Sequence, residues 1–238
     1  MASDTETTAE TGAAATPQAA SGVVSKGRRI RPTLEQISRI DRMVLERHGE
    51  DLIKLIVRSI EYGLVKDAPP KVAVNTFAKE LQVKRATFVT LEKKGVLRGC
   101  IGTIIAYRSL VEDVVENAFA AAFRDPRFPP LQADERQDLS FSLSVLSPMS
   151  QMSFDNEENF LEQLRPLIDG VLIQDGKNRS VFLPQVWEQL PEKADFLNRL
   201  RLKAGLAPDH WSDTFQAWRF TVQKVPPLGM NKLRAKQG

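Results

Sequence analysis

The chain of 238 residues, with 42% hydrophobic and 26% charged residues, is long enough for one large or two small domains and has no run of the roughly 20 apolar residues that cross a membrane. Its net charge of +3 comes from its two ends, since residues 32–225 carry 26 basic and 27 acidic side chains, and the pI of about 9.0 is therefore weak evidence for nucleic-acid binding. A single cysteine excludes an internal disulfide and is compatible with the cytoplasm, where we expect the protein to be.

The two ends of the chain differ from its centre in composition. Residues 1–25 are rich in Ala, Thr, Gly and Ser, and acidic residues stand where a secretory signal would have basic ones. A basic run follows at residues 26–31, which we interpret as a solvated linker rather than a contact for a polyanion. We predict a disordered tail over residues 1–31, a folded domain over residues 32–225 and a basic tail over residues 226–238.

The folded part begins with helical signals. Thr33 starts a capping box, and the helix that follows has Ile37, Ile40 and Val44 on one apolar face. We expect Gly49 to break this helix. A second amphipathic helix is predicted over residues 52–64, ended by the two prolines at positions 69 and 70.

The rest of the folded part alternates between strands and helices. A hairpin is predicted from residues 86–92 and 96–105, and a capping box at Ser109 then opens an alanine-rich helix that reaches about Phe123. The later elements are expected to be a strand, a helix, a hairpin, a helix and one last strand, at residues 139–145, 156–166, 171–183, 194–204 and 218–222. Strands that pair mostly in hairpins indicate an α+β fold with antiparallel sheets, which we expect to form two α+β subdomains with a cleft between them.

The only cysteine, Cys100, lies in the sequence LRGCIG at residues 97–102, on the second strand of the first hairpin. If this strand is regular, Arg98 and Cys100 point to the same side, where the guanidinium lowers the thiol pKa and favours the nucleophilic thiolate. Gly99 and Gly102 would let a ligand approach the strand, and Gly102 would leave a notch beside the sulfur. The alternative is that the cysteine packs as a small apolar residue.

A polar loop with the sequence DPRFPP follows the alanine-rich helix at residues 125–130. Arg127 is a candidate for binding a carboxylate or a phosphate, with Asp125 beside it. The alternative is that Asp125 pairs with Arg127 or with Arg124 and only fixes the loop. Both interpretations stay open from the sequence.

Other candidate residues lie towards the C-terminal end of the domain. His210, in a turn beside Trp211, and Glu188, in a short helix that begins at Pro184, are candidate acid–base residues, and Gln185 is a candidate ligand contact. The chain lacks the GxxxxGK(S/T) and GxGxxG phosphate-binding patterns. One cysteine and two distant histidines do not supply a standard zinc or iron–sulfur site, so we predict no cofactor and no metal.

Several of these segments, in this order, resemble the AMMECR family. The motif LRGCIG is its signature, and the other matching segments are FVTL at 88–91, DPRF at 125–128, LPQV at 183–186, KAGL at 203–206 and a tryptophan at 211. The resemblance extends over about residues 51–220 and implies a site centred on Cys100. It also implies two partners, a Memo-like protein and a radical-SAM protein, because AMMECR-type proteins are component A of the AmmeMemoRadiSam system.

Two functional hypotheses remain after the sequence has been read. In the first, which we prefer, the protein is a small enzyme or enzyme subunit that uses Cys100 as nucleophile or general acid, Arg98 to activate it and Arg127 to hold an anionic group. In the second, it is a non-catalytic ligand-binding or adaptor protein that holds a peptide, a nucleotide or a partner protein. The resemblance implies a shared modification pathway in either case.

Overall fold

A computed structural model describes residues 32–230, so the predicted tail at residues 1–31 and the end of the other, residues 231–238, lie outside the described part. The predicted tail at residues 226–238 begins too early, because residues 226–229 belong to the last strand, Val222–Gly229. Within that part the helices are α1 (Leu34–Lys66), α2 (Leu110–Phe123), α3 (Glu157–Gln163) and α4 (Lys193–Lys203). The strands are β1 (Ala86–Lys93), β2 (Val96–Gly102), β3 (Leu139–Leu146), β4 (Ser150–Gln151), β5 (Gly170–Asp175), β6 (Asn178–Phe182), β7 (Gln216–Phe220) and β8 (Val222–Gly229). None of the described helices combines the length and apolarity needed to cross a membrane.

The described strands form two four-stranded antiparallel sheets, which confirms the α+β fold. Sheet 1 has the order β2-β1-β3-β8, and sheet 2 has the order β4-β7-β5-β6. The chain leaves sheet 1 after β3, builds sheet 2 with α3 and α4, and returns to sheet 1 as β8. Sheet 2 is therefore an insertion between two neighbouring strands of sheet 1.

The first helix is continuous, so the predicted break at Gly49 is wrong. Gly49 is buried, and a Cβ atom there would stand 3.0 Å from a methyl carbon of Val225 on β8. The glycine therefore lets the helix lie close against sheet 1, and this packing outweighs its poor helix propensity. The capping box at Thr33 is confirmed, with Gln36 as its partner.

The apolar face predicted for the start of α1 is only partly the buried one. Ile40 is 49% exposed, whereas Leu34, Asp41 and Leu45 are buried. The carboxylate of Asp41 accepts a hydrogen bond from Arg85 at 3.0 Å, which explains how an acid can stand on the buried face. Helical periodicity alone did not distinguish this face from the exposed one.

Sheet 1 has a covered face and an inner face, defined here as the face away from α1 and α2. The apolar residues of β3 point to the helices and are buried, while its serines point to the inner face and are half-buried, as the alternation predicted. The hairpin of β1 and β2 is also confirmed. Its turn uses Lys94 and Gly95, both with positive φ, at 53° and 80°.

The predicted last strand is in fact two strands in different sheets, which corrects the single-strand expectation. Trp218 and Phe220 belong to β7 of sheet 2, whereas Val222 begins β8 of sheet 1. Thr221 lies at the crossing, where its carbonyl accepts from the backbone N–H of Ser147 and its own N–H donates to the Ser147 hydroxyl, both at 2.9 Å. No turn residue marks this crossing, so the alternation of residues continues through it and predicts a single strand.

An apolar cluster joins the inner faces of the two sheets close to these crossings. Phe88 and Leu146 come from sheet 1, while Leu183 and Phe220 come from the side of sheet 2, and all four are buried. Cys100 packs against this cluster. The signature cysteine is thus located where the two sheets meet.

Candidate functional site

The backbone of Cys100 is fixed on both sides by the DPRF loop. Its N–H donates to Oδ2 of Asp125 at 2.8 Å, and its carbonyl accepts from Nη2 of Arg127 at 3.2 Å. Arg127 also donates to the same carboxylate, from Nε at 3.0 Å and from Nη2 at 2.8 Å. The structure therefore brings together two of the segments that carry the family resemblance.

Asp125 is almost fully buried and remains ionised. Burial raises the pKa of its carboxyl, but the hydrogen bonds from Arg127 and from the backbone of Cys100 lower the pKa overall. The pairing of Asp125 with Arg127, which the sequence left open, is present. Arg124 instead places its guanidinium 4.9 Å from the ring centre of Phe119.

The thiol of Cys100 is partly exposed and accepts a hydrogen bond from the hydroxyl of Thr90 at 3.3 Å. Burial raises the pKa of this thiol, and the hydrogen bond from Thr90 and the charge of Arg127 only partly oppose it. The negative charge of Asp125 raises the thiol pKa further. The expectation of a lowered thiol pKa is therefore wrong, because the loss of solvation outweighs the nearby positive charge.

Arg98 does not activate the thiol, contrary to the sequence prediction. Leu91 pairs with Gly99 and Glu92 pairs with Leu97, so Arg98 is the extra residue of a β-bulge and the assumed alternation fails there. Its guanidinium binds Glu135 through Nε at 3.0 Å and Nη2 at 2.9 Å.

The ion pair between Arg98 and Glu135 is largely buried. Nη2 of Arg98 also donates to the carbonyl of Pro129 at 2.9 Å, and Lys93 donates to Glu135 at 3.0 Å. The hydrogen bonds from Arg98 are the largest influence on the Glu135 carboxyl, and they help to lower its pKa to about 2. The role of Arg98 in this conformation is to hold β2 to the segment that precedes β3.

The two glycines of the signature serve packing, and the expected notch is filled. A Cβ atom at Gly99 would lie 2.1 Å from the carbonyl oxygen of Ala121, so this glycine lets α2 contact the strand directly. A Cβ atom at Gly102 would lie 2.3 Å from the ring of Phe88 and 2.5 Å from the carbonyl oxygen of Thr87. The space beside the sulfur is therefore occupied by an aromatic ring.

His210 lies at a distance from the cysteine. Its Nε2 hydrogen-bonds to Asp175, which also accepts from the hydroxyls of Ser212 and Thr214. Thr214, His210 and Ser212, in that order, lower the pKa of Asp175 to about 2. Asp175 ends the strand that begins beside the apolar cluster, which puts His210 roughly 17 Å along the sheet from the cluster that contains Cys100.

Gln185 and Glu188 are exposed on a short 3-10 helix, Pro184–Glu188. Leu183, immediately before this helix, packs in the cluster that Cys100 contacts, so Gln185 lies in the neighbourhood of the signature. Within the described residues, no three His, Cys, Asp or Glu side chains come together as metal ligands. Two surface depressions in this part of the chain, one lined by residues of 157–166 and 191–194 and one beside Gly95 and Gly229, contain neither Cys100 nor Arg127.

Sequence reasoning missed Asp113, a fully buried carboxylate on α2. Its Oδ2 accepts from the backbone N–H and hydroxyl of Thr87, at 2.8 and 2.7 Å, and from Thr103 and Asn117. Its Oδ1 accepts two hydrogen bonds from Arg108. This network fixes the loop that follows the signature strand. The only indication of Asp113 in the sequence was its position one turn into a capped helix.

The fold and the site define an α+β protein whose cysteine lies between two antiparallel sheets and is held by a buried aspartate–arginine pair. The AMMECR1 family model matches residues 53–225, and the chain belongs to that family. A protein of Methanothermobacter thermautotrophicus is 38% identical over 142 residues, covering 59% of this chain and 74% of its own length. Protein MK0488 of Methanopyrus kandleri is 35% identical over 179 residues, covering 72% and 83%. The crystal structure of the uncharacterized protein PH0010 from Pyrococcus horikoshii matches with a TM-score of 0.64 and 32% identity, over 77% of this chain and 96% of that one.

Proposed function

We propose that this chain is a non-catalytic binding subunit that works with a Memo-like protein and a radical-SAM protein in a modification pathway. Its ligand would lie against the inner face of sheet 1, and Cys100 would contact it as a neutral thiol. The pathway and the partners are proposed from what the family resemblance implies, and the family itself is established for residues 53–225. The observation that carries the binding role is a row of hydrogen-bonding side chains that crosses this face.

That row, named here the polar row, consists of Cys100, Thr90 and Ser142. Thr90 is paired in register with Cys100 on one side and with Ser142 on the other, so the three side chains stand on neighbouring strands. Adjacent strands are about 4.8 Å apart, so the three polar groups lie close enough together for one ligand to contact all of them. All three residues are half-buried, a state in which a ligand can reach them and still lose much of its hydration.

The polar row offers both donors and acceptors. Thr90 donates its hydroxyl proton to the sulfur, so the S–H proton of Cys100 is free to point to a ligand. Because Asp125 and Arg127 fix the backbone of Cys100, little ordering entropy remains to be lost when a ligand binds. A raised thiol pKa suits this role, since a neutral thiol donates a proton and a thiolate does not.

The cysteine enzyme is the second candidate, and one observation favours it. The guanidinium of Arg127 acts on the thiol and lowers its pKa, even though burial dominates. A partner that removed the burial would leave the hydrogen bond from Thr90 and then the charge of Arg127, both of which lower the thiol pKa. Arg127 would then take the activating role that the sequence assigned to Arg98.

The rate of Cys100 alkylation against pH separates the two candidates. For a binding subunit we expect slower alkylation than a free model thiol at neutral pH, with the rate still rising above pH ~9.5, where a free thiol of pKa ~8.5 is about nine-tenths ionised. Faster alkylation than the model thiol near pH 7, with or without the partners, would reverse the choice. Cys100→Ser should keep the function in a complementation assay if the residue binds and should abolish it if the residue is a nucleophile.

Partner binding is tested by co-purification with the Memo-like and radical-SAM proteins. Ser142→Leu places a bulky side chain on the polar row and should weaken capture of the ligand-bearing partner. Ser153→Leu makes the same change at an exposed position elsewhere on the chain and is the matched control. Equal capture by both variants would refute the assignment of the binding surface.

A further inference from the structure

A half-buried arginine stands on the inner face of sheet 2, the face that meets the inner face of sheet 1 at the apolar cluster. Arg179 is paired in register with Gln174, and Val181, two residues further along the same strand, belongs to the cluster that Cys100 contacts. Side chains two residues apart in a strand share a face. Ser180, between them, donates to the carbonyl of Leu200 on α4 and so faces the other way.

Across the part of the chain that the structure describes, Arg179 differs from the other arginines that are not fully exposed. Those make hydrogen bonds, ion pairs or ring contacts, and they are Arg85, Arg98, Arg108, Arg127, Arg136, Arg165, Arg201 and Arg219. No acid, carbonyl or aromatic ring partner is present for Arg179 among residues 32–230. Burial lowers the pKa of this guanidinium, and no carboxylate offsets the effect. A partly desolvated cation without a counter-charge is unfavourable until an anion reaches it.

The surroundings of Arg179 suit a bound ligand. Trp218 and Leu172 are buried on the same face, at the pair next to Gln174, and an ion pair on a partly apolar face is screened less than in water. Val181 packs against the cluster, so Arg179 lies two residues beyond it on the same face, at the level where Gln174 pairs with Gln216.

We infer that Arg179 binds an anionic oxygen group, a phosphate or a carboxylate, of a ligand at the inner face of sheet 2. This inference goes beyond the proposed function, which concerns the inner face of sheet 1. Arginine suits such a group because its planar guanidinium donates two parallel hydrogen bonds to two oxygens.

Thermal unfolding of the full chain tests the inference with pyrophosphate, inorganic phosphate and succinate as probes, each against sodium chloride of equal ionic strength. At ten times its Kd, a bound anion should raise Tm by roughly 3–6 °C. The probe that gives the larger rise distinguishes a phosphate from a carboxylate ligand. If none of the three shifts Tm at concentrations on the order of 10 mM, the inference fails.

Two methionine variants decide whether Arg179 is responsible. Arg179→Met keeps the apolar stem and removes the charge, so it should lose the anion response and show an unchanged or higher Tm without anion. Arg199→Met removes a charge from an exposed arginine on α4 and should keep the response. A lower Tm of Arg179→Met without anion would show a structural role and overturn the inference.

The same measurements distinguish this inference from the proposed function. An anion response that persists in Arg179→Met would refute the role of Arg179. Fast alkylation of Cys100 at neutral pH would refute the neutral-thiol function, whatever the anion result. The two proposals therefore fail on different observables.

Discussion

Gly99→Ala tests the closest backbone contact of the signature strand. The added Cβ would stand 2.1 Å from the carbonyl oxygen of Ala121 and 3.1 Å from its carbonyl carbon, and real Cβ contacts essentially never fall under 3.0 Å. Strand β2 and helix α2 must then separate by about 1 Å, since neither neighbour is a flexible side chain. Overpacking costs about 1–3 kcal/mol, and a backbone clash belongs at the upper end of that range.

The expected loss is therefore about 3 kcal/mol, equivalent to a fall in Tm of roughly 6–12 °C for a domain of this size. Urea denaturation measures the loss, and an unchanged m-value would show that stability and not the denatured state has changed. Gly229→Ala is the control on β8, where the nearest atom, the carbonyl oxygen of Leu139, would be 3.9 Å away. If the two variants lie within about 0.5 kcal/mol of each other, the close packing of α2 on the signature strand is refuted.

Three further substitutions test the framework of the site. Gly102→Ala should lower Tm by several degrees because of the contact with Phe88, and Phe88→Leu in the same chain should restore part of the loss, which a thermal melt of both variants checks. Glu135→Gln should cost about 3 kcal/mol at pH 7, because it breaks a largely buried ion pair with Arg98. Since the native pKa of Glu135, about 2, lies below its usual 4.5, that stability is present above pH 4.5 and is lost as pH falls towards 2, so denaturation curves of the two proteins should converge there. Asp113→Ala should cost at least about 3 kcal/mol and speed hydrogen exchange in the loop at residues 103–109, and unchanged exchange would contradict the anchoring role.

Local patterns predicted most of the elements because tertiary contacts agree with them. The alternating strand before residue 146 and the capped helix at Ser109 follow the sequence closely. Gly49 was misread because its helix is stabilised by packing against Val225, a contact that local propensity does not contain. The crossing at Thr221 was missed because the alternation continues from one sheet into the other.

The sequence identified several residues of the site but not how they are arranged. Counting back from the two-residue turn pairs Thr90 with Gly99, but the bulge at Arg98 shifts the register by one and pairs Thr90 with Cys100. This shift of one residue moves Arg98 away from the thiol and places Thr90 beside it. A bulge has no reliable sequence signal here, so neither the loss of Arg98 nor the gain of Thr90 followed from the pattern.

The insertion of sheet 2 has a consequence for how the chain folds. Leu146 pairs with Val222 although the whole of residues 147–221 separates them in sequence, a contact of high order. During synthesis the edge of β3 that pairs with β8 therefore stays unpaired until the entire insertion and β8 have left the ribosome. We therefore expect refolding to be limited by the docking of β8 rather than by the hairpins.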